Sequence, residues 1–129
     1  MSPDRSGFLL AAVAGLLGAA GVSLAAVAAH RVESPALATA ATMLMIHAVA
    51  GITIATLAAA AQNPKRWSAI AVLMLAAVTL FSGDIALNTM AGFHLFPMAA
   101  PTGGSLLIAS WLAVAICALA EFKSARREP

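Results

Sequence analysis

Few side chains in the apolar stretches of this 129-residue chain can do acid–base or ligand chemistry, so their spacing carries most of the functional signal. Asp84 stands in FSGDIALN (residues 81–88), with Ser82 two residues before it and Asn88 one helical turn after it. An ionisable group inside an apolar helix faces the bundle interior, a partner side chain or a water-filled cavity. Two readings suit Asp84. It is hydrogen-bonded to a neighbouring helix, or to the backbone near Gly103 and Gly104, and clips the bundle together. Alternatively it is a proton or cation site, with Asn88 extending a polar strip on the same face. His47 is either an imidazole bonded to a neighbouring helix or a relay partner of Asp84. Helical rise puts the two about 10 Å apart along the membrane normal. Ser82, Thr79 or a water would then have to bridge them. His30 stands at the mouth of the first apolar segment, beside Arg31 and Glu33, whose charges could form an exposed pair.

A second group has the donor types of a soft-metal site. Met90, His94 and Met98 recur at every fourth residue, thioethers select Cu(I), and imidazole suits copper. On a continuous helix the three would share one face. Pro97 disfavours that helix by pushing Phe96 out of the helical region, and methionine is ordinary packing material in membranes, so a metal here is the lesser expectation. The one cysteine, Cys117, excludes an intramolecular disulfide and any cysteine-based zinc site, and is read as packing. No cofactor is expected.

The elements that must position these residues are set by composition. The chain is 62% hydrophobic and 9% charged, against about 25% charged for a typical soluble domain. Its mean hydropathy is +0.96. Alanine supplies about a quarter of the residues, which favours helix because alanine loses no side-chain entropy there. A membrane span needs about 20 predominantly apolar residues, and four stretches qualify: 7–29, 35–61, 67–90 and 102–122. The breaks between them are punctuated. Ser34-Pro35 reads as an N-cap with proline at the first helical position, Asn63-Pro64 as a turn, and Pro101-Thr102-Gly103-Gly104 as a helix entrance. The expected fold is an all-α integral membrane protein, a single unit of four transmembrane helices in a compact antiparallel bundle.

Four spans put the N-terminus, the middle turn and the C-terminus on one side. Arg5, Lys65, Arg66, Lys123, Arg126 and Arg127 fall there, and Arg31 alone falls on the other. Short basic loops stay in the cytoplasm, so both termini are expected inside. Trp67 beside Lys65-Arg66, and Phe122 beside Lys123, read as aromatic anchors at that interface. The ending AVAAH (residues 26–30) suits a signal-peptide cleavage site, but the 23-residue apolar run before it exceeds a signal's usual 7–15. A retained span is therefore expected. In that first span Ala11, Gly15 and Ala19 form a small-residue stripe, as do Ala14 and Gly18, and Gly21 follows, which marks a close-packing face. Gly103 and Gly104 do the same for the last span.

AAH at 28–30, IHA at 46–48, LFSG at 80–83 and PMAAPTGG at 97–104 fall in the order and spacing of one family. The chain resembles the domain of unknown function 423 family of small bacterial inner-membrane proteins, a relative of animal transmembrane protein 256. The resemblance runs from about Gly7 to Ala120 and implies four transmembrane helices and no established activity. It departs at Arg31, where the family pattern carries glycine, and at Met43, Leu44 and Ile46, where it carries tyrosine and glutamine before the second histidine.

No nucleophile–base pair, metal-catalytic motif or nucleotide loop accompanies these residues, so catalysis is not expected, and the small net charge of +2 gives no nucleic-acid footprint. Two classes remain. One is a structural or accessory membrane protein whose partners are the lipid bilayer, other membrane proteins or further copies of itself. The other is a small proton- or cation-coupled carrier or channel, oligomeric because four such helices leave little internal space.

Overall fold

The structure is a computed structural model that describes residues 3–126, with side chains from Arg5 onward, so Arg127 lies outside the described residues. It contains four helices: α1 (Pro3–His30), α2 (Pro35–Ala60), α3 (Pro64–Ala91) and α4 (Ala99–Ala125). All four are long and apolar enough to cross a membrane. α1, α3 and α4 run somewhat beyond their apolar stretches, and α2 keeps within its own. The charged turns at Lys65-Arg66 and Glu121–Lys123 continue the helices they flank, because helical backbone geometry does not end where hydrophobicity does.

The caps explain most of the boundaries. Ser34 is extended and its side chain accepts from the Leu37 N–H, with Pro35 opening α2. Asn63 caps α3 in the same way by accepting from the Arg66 N–H, ahead of Pro64. Gly92 ends α3 in the left-handed region at φ 79°, its N–H donating to the Asn88 carbonyl. Glycine suits that position because it has no Cβ to clash. Met98 takes the same left-handed region at φ 68° before α4 and makes no side-chain cap. For a residue with a Cβ this conformation is locally unfavourable. The expected entrance at 101–104 lies inside α4, which starts at Ala99 and places Pro101 in its first turn, where proline's missing N–H costs nothing.

Antiparallel packing is visible in the contacts. Gly18 of α1 faces Ala48 of α2, and Gly21 faces Ala41 and Leu44. Gly51 of α2 lies against Leu75 of α3, and Ala40 against Ser82. Gly103 of α4 lies on the α3 backbone at Ala77 and Phe81. The bundle is open. α1 packs on α2 and more lightly on α3, α4 packs on α3, and the backbones of α1 and α4 do not approach each other. The expected compact bundle is therefore a central α2–α3 pair flanked by two outer helices.

Small residues make much of the interior. Ala14, Ala40, Ala41 and Ala71 are fully buried around a core of Leu44, Ile54, Trp67, Met74, Val78 and Leu107. Large apolar residues face out, with Phe8 78%, Leu16 74% and Ile116 67% exposed. With the exterior as apolar as the interior, packing must hold the helices together, and small side chains allow the close approach that packing needs. Exposed hydroxyls on the helices are satisfied locally. Ser23, Thr42, Thr53 and Ser105 each donate to the carbonyl four residues earlier.

The glycines separate into used and unused. At Gly103 an added Cβ would sit 2.6 Å from the Phe81 backbone nitrogen, whereas at Gly15 it would meet nothing within 4 Å. Gly15 was expected to lie in a packing stripe with Ala11 and Ala19. It is exposed, and the face on α2 is Ala14, Gly18 and Gly21. Gly104 makes ordinary contact with the Phe81 ring. Gly103→Ala should lower stability by about 1–3 kcal/mol because α4 must move off α3. Gly15→Ala should be neutral or gain up to about 1 kcal/mol from helix propensity. Thermal unfolding in detergent micelles measures both.

Candidate functional site

The polar side chains inside the helices form three separate contacts along the bundle. At one end Asp84, 1% exposed, accepts two hydrogen bonds from the connection between α3 and α4. Its Oδ2 lies 2.8 Å from His94 Nδ1, and its Oδ1 accepts from the Leu95 N–H at 2.8 Å. Both bonds go to the segment that follows its own helix, so the carboxylate folds residues 92–98 back onto the end of α3. His94 itself is 58% exposed. Gly92 permits the reversal, and Asp84 holds it.

Halfway along, His47 of α2 is buried and bonds α4. The indole N–H of Trp111 can only donate, so His47 Nε2 accepts that bond at 3.1 Å. The ring proton then belongs on Nδ1, which donates to the Met43 carbonyl at 2.7 Å. The two rings meet edge to face, 6.0 Å apart and inclined at 63°. Two residues before Asp84, buried Ser82 donates to the Ala40 carbonyl at 2.9 Å and ties α3 to α2.

At the far end Glu121 of α4 reaches the turn between α2 and α3. Its carboxylate accepts from the Gln62 N–H at 3.1 Å, the Asn63 N–H at 3.4 Å and the Trp67 indole N–H at 3.4 Å. These contacts gather the α2–α3 turn and the end of α4, with Arg66, Lys123 and Arg126 beside them. A groove shared by Ser6, Ala59 and Lys65 brings the start of α1, and so Arg5, to the same basic end. Arg31 lies at the opposite end, on the connection that follows α1.

Asp84, His47 and Ser82 are thus buried, but each is engaged by a different element. Thr79, a candidate bridge, donates to its own helix at the Leu75 carbonyl. Asn88 is exposed and contributes its backbone carbonyl to the Gly92 cap, so it does not extend a buried polar strip from Asp84. His30 is exposed at the end of α1. Arg31 and Glu33 are both exposed and form no ion pair; among the described residues the ion-pair contact is His94–Asp84. Met90, His94 and Met98 do not share a helical face, because α3 stops at Ala91 and both Gly92 and Met98 turn left-handed. His94 also spends its Nδ1 on Asp84, and among the described residues no cluster of three histidine, cysteine or acidic groups could hold a metal. Cys117 is half-buried against the core.

Sequence reasoning missed Glu121 and Trp111 as partners and placed Trp67 wrongly as an interface anchor. Trp67 is 4% exposed, its indole bonded to Glu121. The available signal was a lone carboxylate beside the last apolar span, with tryptophans whose N–H groups need acceptors. Phe122 does face outward, with the Arg126 guanidinium 4.7 Å from its ring centroid, a cation–π contact.

Residues 17–104 match the model of the family described as protein of unknown function (DUF423), which covers more than half the chain. The chain belongs to that family. No curated protein and no solved structure matches it. In this DUF423 protein the matched region contains His47, Ser82, Asp84, His94 and Gly103, while Trp111 and Glu121 lie beyond it.

Trp111→Phe should destabilise the protein by about 1–3 kcal/mol, because it leaves His47 Nε2 buried without a donor. The double variant His47→Phe, Trp111→Phe should recover part of that loss, since neither polar group then remains. Asp84→Ala should speed amide hydrogen exchange at Leu95 while leaving the helix interiors protected, as read by exchange mass spectrometry.

Proposed function

We propose that this is a structural or accessory protein of the bacterial inner membrane, crossing it four times with both termini in the cytoplasm and acting without catalysis. The supporting observation is that three of the four buried polar side chains among the described residues hold elements together, while Ser110 bonds only its own helix. Asp84 fastens a connection, His47 fastens α4, and Ser82 fastens α2 to α3. A carrier in the same membrane would need such groups to alternate between partners, and here Asp84 and Ser82 bond different elements near one end while His47 bonds α4 halfway along. The orientation rests on the basic end, where Arg5, Lys65, Arg66, Lys123 and Arg126 gather.

In this reading the protein acts through contacts within the membrane. Its partners are lipid and either other membrane proteins or a second copy of itself, and nucleic acid plays no part. α4 is the natural contact helix. It leans on α3 along Ala99, Gly103, Leu107 and Ser110, and leaves Ile108, Leu112, Ile116 and Leu119 uncovered.

Reconstituted protein should pass no more protons into dye-loaded vesicles than empty vesicles do, with or without a membrane potential. A photo-crosslinking residue at Leu112 should capture a protein of the native membrane, whereas one at Phe8 should capture mainly lipid. Proton flux that disappears in Asp84→Asn would overturn the accessory role in favour of a carrier. Thiol labelling of a cysteine placed at Ser124, in a Cys117→Ala background, should require access from the cytoplasmic side.

A further inference from the structure

A groove of about 740 Å³ opens at the basic end, between α1 and the α2–α3 hairpin. Its apolar wall combines Phe8 and Ile52 with small residues, Gly7 and Ala11 on α1 and Ala55 and Ala59 on α2, which leave a furrow where larger side chains would fill it. Gly7 leaves it open, since a Cβ there would meet nothing within 4 Å. At the mouth stand Lys65 and Ser68, in the first turns of α3. The furrow runs down to Ile52, about 12 Å below the end of α2, close to the ~15 Å half-thickness of a bilayer core.

The described charge at the mouth is positive. Lys65 pairs with no described carboxylate, Arg66 follows it, and Arg5 precedes the lining residue Ser6. Glu121, the described carboxylate at this end, is taken up by the Gln62 and Asn63 N–H groups and the Trp67 indole. An apolar furrow under a cation that pairs with no described carboxylate matches one acyl chain of an amphiphile with an anionic head. It does not match a second copy's helix, which would need a seam along the ~30 Å span. A second groove of about 590 Å³, between α1 and α3, is lined by Leu9, Val13, Val72 and Leu95 among others and includes no charged residue, so it offers a chain a wall but a headgroup nothing.

We propose that the groove at the basic end binds one anionic phospholipid, with an acyl chain along Gly7, Ala11, Ala55 and Ala59 and the phosphate on Lys65. This requires that the chain sits in a membrane and is independent of the accessory role, which is read by proton flux and crosslinking instead.

The test is native mass spectrometry of the full chain, purified in detergent and equilibrated with equal amounts of phosphatidylglycerol and phosphatidylcholine. The protein should retain one lipid and favour phosphatidylglycerol about fivefold, the preference expected from one basic residue at the surface. Gly7→Leu should abolish retention by filling the furrow, while Gly15→Leu, at another position open to a Cβ, should retain lipid as the parent does. Lys65→Gln should keep a lipid and bring the two headgroups close to parity. Absence of bound lipid in the parent, full retention in Gly7→Leu, or an unchanged preference in Lys65→Gln would each overturn the proposal. So would a doubled mass that Gly7→Leu returns to monomer, which would assign the groove to a second copy.

Discussion

The approach of α4 to α3 at Gly103 is the contact on which the rest of the arrangement hangs. Lipid offers helices no hydrophobic reward for meeting, so association depends on close packing and on polar groups finding each other. α4 has one backbone neighbour, α3, and a glycine where the two backbones come nearest. Only there can α4 lie close enough for Trp111 to reach across to His47 and for Glu121 to reach the α2–α3 turn. A helix held by one neighbour would otherwise be free to rotate or slide. Three contacts at three levels fix both.

The two carboxylates at the ends of the bundle do similar work with similar chemistry. Asp84 and Glu121 each accept from backbone N–H groups in a connection between helices, where the backbone has no helical partner of its own. Each also takes one ring N–H group, from His94 or Trp67. Backbone N–H groups outside a helix have no ladder partner and take a side chain or water as acceptor. A carboxylate is efficient there because it has two oxygens and no donor of its own. The price of the left-handed Met98 is borne within the same segment that Asp84 holds.

These contacts also make sense of where the matched family region lies. It spans the pieces that build the α1–α2–α3 core and the Gly103 approach, and it stops before the two residues that secure the rest of α4. The uncovered side of α4 and the small-residue furrow beside α1 lie on opposite flanks of the central pair, so a protein partner and a lipid could be held at once.

The number of helices, their punctuation and the basic end were legible from the sequence, because each is local. A span is a run of apolar residues, and the caps at Ser34 and Asn63 act within three residues of themselves. Asp84, His47, Ser82 and Gly103 stood out too, since polar groups and glycines are conspicuous in an apolar helix. Their partners were not. Ala11-Gly15-Ala19 and Ala14-Gly18 are equivalent stripes in the sequence, and only the shape of α2 selects the second. His94 read as no more than a minor candidate for a metal donor, and nothing in the linear order tied it to Asp84, to which the reversal at Gly92 brings it. Trp67 read as an anchor until Glu121, 54 residues away, supplied its acceptor. Sequence determines which groups must be satisfied, because that need belongs to the side chain itself. Tertiary structure decides what satisfies them, because a hydrogen bond depends on distances between elements that the linear order does not contain.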